Sequence, residues 1–222
     1  MKLSHIGRIA AGLLMASALV VTGGTSASAH AGITSSTPAN GSQLSTAPAS
    51  VIVKFGEKVH LDGKDSRLID DKGITVASRV RAKGRIVTFT PARELAPGRY
   101  AAAWHVLSAD GDPVQGAIAF TVATPNPRGT PVAIRTAPRV PTTLSAALPG
   151  YRTLFFSTPA TSGDVEWTSK AVPEPIMWTV RGSGTKASAK GVLPTSGTWS
   201  FTATLASATG VVVVKGKVTI AG

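Results

Sequence analysis

Residues 99–107, RYAAAWHVL, and 116–123, GAIAFTVA, flank the segment 108–113, SADGDP. Both flanks are short and rich in β-branched or aromatic residues, the composition of strands. Between them Gly111 permits a tight turn and Pro113 stiffens its exit. The stretch therefore reads as two strands joined at a loop tip. On the first strand Tyr100, Ala102, Trp104 and Val106 share one face, which leaves His105 on the opposite face as an exposed strand histidine.

The same composition recurs at 51–56 (VIVKFG), 74–81 (ITVASRVR) and 85–90 (RIVTFT), with Gly, Pro, Asp and Asn in the gaps. No window beyond residue 29 shows a 3.6-residue apolar period. The expectation is an all-β chain, with an antiparallel sandwich over 30–123. Arg79, Arg81 and Lys83 alternate on one strand and read as a solvated, edge-protecting face. Residues 124–141 hold five prolines, three arginines and no acid, the composition of a semi-stiff linker. Beyond it, 142–222 read as a second, smaller β-domain of unassigned role, with Trp167, Trp178 and Trp199 as its core.

Residues 1–29 read as a signal peptide. Lys2 and Arg8 precede an uncharged, mostly apolar run from Ile9 to Val21, and Ala27-Ser28-Ala29 fits a signal peptidase site. Cleavage there leaves a chain beginning His30-Ala31, exported to a periplasmic, extracellular or cell-surface location. No later segment is long enough to span a membrane. With no cysteine, thiolate and disulfide chemistry are excluded. The formal charge of +12 is carried by scattered basic residues among few aromatics. That pattern argues against nucleic acid and for weak attraction to anionic cell-surface polymers or lipids. Nucleophile-elbow, P-loop and dinucleotide motifs are missing, so no enzyme is expected.

Cleavage before His30 would free an α-amine on a histidine. That amine and the imidazole Nδ1 can close a chelate ring, which suits the tetragonal preference of Cu(II). Asp110 and Asp112 put two carboxylates at one loop tip. From the residues alone they read as an ordinary acidic turn, bonding nearby backbone N–H groups, with a metal pair as the alternative.

The run His30-Ala31-Gly32, Ser36-Thr37-Pro38-Ala39-Asn40-Gly41, Ala47-Pro48 and Val51 to Val59 resembles the opening of the CopC copper-resistance family. Gly98-Arg99-Tyr100, Trp104 to Val114, Gly116 and Phe120-Thr121-Val122 are similar to that family's closing hairpin. The resemblance implies a cupredoxin-like or immunoglobulin-like β-sandwich over 30–123 that carries Cu(2+) outside the cytoplasm, with a membrane copper transporter as a partner. It implies His30 and Asp110 as ligands. Asp112 stands where the family's Asp-Gly-His-Pro turn has its histidine, which exchanges a nitrogen donor for a harder oxygen. Glu57 occupies a position near the metal, as a ligand or as a hydrogen-bond acceptor behind one. The family's methionine-rich Cu(I) site is not expected, because Met177, outside the matching region, is the sole methionine beyond residue 29. A copper carrier or buffer is the leading expectation, and a metal-free adhesive or structural sandwich is its alternative. A copper-brace oxidative enzyme would need a second imidazole from His60, read as an exposed loop residue, or from His105.

Overall fold

The computed structural model describes residues 32–63, 65–122, 129–148 and 151–220. Residues 1–29, expected as a signal peptide, His30 and residues 123–128 lie outside them. Ten strands build the first β-region: β1 (Ile33–Thr37), β2 (Gln43–Leu44), β3 (Val51–Phe55), β4 (His60–Leu61), β5 (Arg67–Ile69), β6 (Thr75–Val76), β7 (Ser78–Lys83), β8 (Ile86–Pro91), β9 (Gly98–Leu107) and β10 (Pro113–Val122). An antiparallel sheet of order β1-β3-β8-β7 faces a second layer, β6-β5-β9-β10, with β4 beside β9 and β2 beside β10. Alternation decides what lies between the layers. Val51, Val53 and Phe55 from β3 and Val87 and Phe89 from β8 meet Tyr100, Ala102, Trp104 and Val106 from β9 and Ile118 and Phe120 from β10. This is the all-β sandwich the sequence predicts.

Nine further strands follow: β11 (Gly129–Ile134), β12 (Thr136–Ala137), β13 (Thr142–Leu148), β14 (Tyr151–Phe156), β15 (Ser162–Ser169), β16 (Ile176–Ser183), β17 (Lys186–Val192), β18 (Gly197–Ser207) and β19 (Gly210–Ile220). They run in the order β11-β13-β14-β17-β16-β15-β18-β19-β12. Only Arg135 separates β11 from β12, so the ribbon curls back on itself. Inside it Trp167 lies 5.0 Å from Trp178 and 4.9 Å from Phe201, ring centre to ring centre. Trp199 is equally buried, and its Nε1 donates to the Thr195 carbonyl at 3.0 Å.

Where the sequence suggests a linker, residues 129–134 and 136–137 form strands. Proline is tolerated at a sheet edge, and β11 pairs only with β13. The two regions also meet closely. Ala117 of β10 pairs in parallel with Ile176 of β16, and Ala117 N donates to Pro175 O at 2.9 Å. Asn40 bridges the same junction, accepting from Ala119 N at 2.9 Å and donating to Met177 O at 2.7 Å. Ile69, Ala101, Ala103, Ala117 and Ala119 share one buried cluster with the tryptophan-rich core. The small alanine side chains on the outer face of β9 and β10 are what allow the second layer to approach.

Candidate metal centre

The β9–β10 connection is a tight turn stitched to its own backbone. Ser108 N donates to Asp112 O at 2.9 Å, and Gly111 N donates to Ser108 O at 3.1 Å. Gly111 has φ +91°, a conformation that favours glycine. The buried Ser108 hydroxyl accepts from Asp112 N at 3.0 Å and hydrogen-bonds the Asp110 carboxylate. Asp110 and Asp112 themselves are exposed at the tip. Ser108 thus fixes the direction of Asp110. An ionised carboxylate offers about four lone-pair sites, so this bond does not exhaust it.

Glu57 follows the end of β3. Its neighbour Gly56 donates from its backbone N to Gly32 O at 2.8 Å. Gly32, two residues after His30 in sequence, thereby lies against the segment that carries Glu57. Glu57 is half-buried, and its Oε1 is buried without a hydrogen-bond partner among the described residues. Such a group costs free energy and is unusual in a folded protein. Gly32 and Phe55 also line a cavity of about 430 Å³ with Trp104, Val114 and Met177. The cavity lies between Gly32–Ile33 and the β9–β10 hairpin. Among the described residues no three His, Asp or Glu side chains converge closely enough to hold a metal. Asp110, Asp112 and Glu57 are therefore not a complete site by themselves.

The CopC domain family matches residues 33–123. Copper resistance protein C of Pseudomonas syringae pv. tomato is 31% identical over 130 residues, covering 54% of this chain and 96% of that protein. The chain belongs to the CopC family. Copper transport protein CutJ of Bacillus subtilis is 34% identical over 98 residues, which span 42% of this chain but only 18% of CutJ. Among solved structures, CopC from Methylosinus trichosporium OB3b is 28% identical over 42% of this chain and 93% of its own, with a TM-score of 0.39. PcoC from Escherichia coli is 26% identical over 43% and 100%, with a TM-score of 0.38.

Within this CopC domain the two internal histidines differ in setting. His60 is exposed and pairs with Leu107, next to the turn. His105 does lie on the face opposite Trp104, but it is only about a quarter exposed there. Its Nε2 is 2.7 Å from Oε1 of Glu174, which is donated by the loop between β15 and β16. Arg67 grips the same carboxylate through Nη1 at 2.6 Å and Nη2 at 3.2 Å. The Glu174 side chain is only 1% exposed. Burial pushes its carboxyl up, but hydrogen bonds from His105 and Arg67 outweigh that and hold it below the usual carboxylate range. With Glu174 ionised and able only to accept, Nε2 of His105 carries the proton. No sequence signal links residues so far apart, and these contacts were not foreseen.

Proposed function

We propose that the chain is an exported Cu(II) carrier or buffer that holds one ion at His30. In this reading the α-amine and imidazole of His30 supply two nitrogens, Asp110 supplies a carboxylate oxygen, and Asp112 or Glu57 completes the plane. The buried Oε1 of Glu57, unpartnered among the described residues and next to the Gly56–Gly32 contact, is the observation that carries it. The names of the relatives, copper resistance protein C and copper transport protein CutJ, support it. A membrane copper transporter is the partner such a carrier implies. His105 is committed to Glu174, which leaves His60 as the remaining internal imidazole for a copper brace and speaks against the oxidative enzyme.

The experiment is a Cu(II) titration, followed by electron paramagnetic resonance, of the chain beginning at His30. Stoichiometric binding with nitrogen couplings from His30 is expected. An absence of binding would favour a metal-free sandwich. Asp112→His should tighten binding on the order of 10-fold, because imidazole suits copper better than a hard carboxylate. An unchanged affinity would remove position 112 from the site.

Acid should release the ion. A free α-amine has a pKa of about 7.7–8.0, and copper must displace its proton. Apparent affinity should therefore fall steadily as pH drops below about 8, already in the range above the imidazole's own titration, which a competition titration across pH will show. A flat profile would mean that the amine is not a ligand.

A further inference from the structure

The outer face of the β1-β3-β8-β7 sheet has a composition unlike the rest of the domain. Strand register sets Lys83, Ile86, Lys54 and Ser35 in one row across it. Arg81, Thr88, Ile52 and Thr37 form the next row, and Arg79 beside Thr90 begins a third. Arg85, exposed in the β7–β8 turn, adds a further cation at the border. The side chains of Lys54, Arg79, Arg81 and Lys83 are all exposed, and Ile86 is 39% exposed among them. None of these strands contains an acid. Glu57, Asp62, Asp65, Asp70, Asp71, Glu94, Asp110 and Asp112 all lie between strands. Among the described residues, none of the five cations has an ion-pair partner.

We propose that this face docks on an anionic lipid bilayer. Alternate residues on β7 stand about 6.8 Å apart, and Lys54 lies two strands, about 10 Å, from Lys83. The cations therefore form a plane and not a line. A threadlike polyanion is tracked by a groove, whereas a flat grid with a partly exposed isoleucine among threonines matches a headgroup surface. The second β-region leaves this plane open, since it covers the alanine face of β9 and β10 on the other side of the sandwich.

The test is co-sedimentation of the metal-free chain from His30 onward, which contains every described residue, with lipid vesicles. At about 0.1 M salt, where screening extends about 10 Å, it should bind phosphatidylglycerol vesicles and not pure phosphatidylcholine. Each cation at a membrane surface strengthens partition about fivefold. Arg79→Gln/Arg81→Gln/Lys83→Gln should therefore lose about 100-fold with an unchanged melting temperature. Lys186→Gln/Lys215→Gln/Lys217→Gln, equal in net charge but confined to the second β-region, should lose far less. If the first triple variant fails to fold, Arg81→Gln alone should lose about fivefold. Equal losses in the two triples would overturn the proposal, as would wild type ignoring anionic vesicles. So would a face variant that loses only a soluble anionic polysaccharide while keeping its vesicles.

Discussion

One residue added ahead of His30 lowers Cu(II) affinity by on the order of 100-fold or more. Loss of a hydrogen bond behind a ligand costs a metal site about 10–100-fold, and in the proposed site this change removes a ligand outright. The extension turns the α-amine into an amide and opens the chelate ring, while every side chain remains. The carboxylates left behind cannot compensate, because Glu57, Asp110 and Asp112 do not converge as a cluster on their own. Competition titration of the extended and correctly cleaved chains gives the ratio. Electron paramagnetic resonance shows whether the nitrogen couplings vanish with it. Equal affinity in the two chains would sink His30 as the anchor and the proposed site with it.

The sandwich was legible in the sequence because period-2 alternation is strong where one face is buried. Tyr100, Ala102, Trp104 and Val106 do line the core, as their spacing requires. The same stretch carries a second signal. Between those residues stand Ala101 and Ala103, and across the hairpin Ala117 and Ala119, where a solvated face would carry polar side chains. A strand apolar on both faces is a strand covered on both faces. From that reading His105 is a residue to be covered, not an exposed one. The proline-rich stretch misled for a related reason. Its composition argues against a central strand but permits an edge, and an edge is where β11 lies. The turn is legible in the sequence down to Gly111, whose φ is +91°. What closes on Glu57 is not, since the pairing of Gly56 with Gly32 is a tertiary fact that local pattern does not carry.

Glu174→Gln should destabilise the chain by about 2–4 kcal/mol at neutral pH, a fall in melting temperature on the order of 10 °C. The carboxylate is buried, and it joins Arg67 and His105 of the first β-region to the second. Arg67 and His105 are each about a quarter exposed and can rehydrate in part, which keeps the loss at the lower end of what breaking a buried pair costs. Exposed Glu166 on β15 is the control, and Glu166→Gln should change stability by less than about 0.5 kcal/mol. The dependence on pH follows from the direction of the shift. The carboxyl is held lower in the folded chain than in the unfolded one. Its contribution is therefore complete above the ordinary glutamate value of about 4.3 and is lost as pH falls through the lower, folded value. Wild type and Glu174→Gln should differ fully at pH 7 and converge only in strong acid. The junction should thus stay closed across the milder range in which α-amine protonation is expected to free copper, so the proposed metal release does not require the two β-regions to part. Because the two regions share a buried cluster, denaturant should unfold both in one transition. Two separate transitions, or a Glu174→Gln chain as stable as wild type, would show that this contact does not bind the regions together.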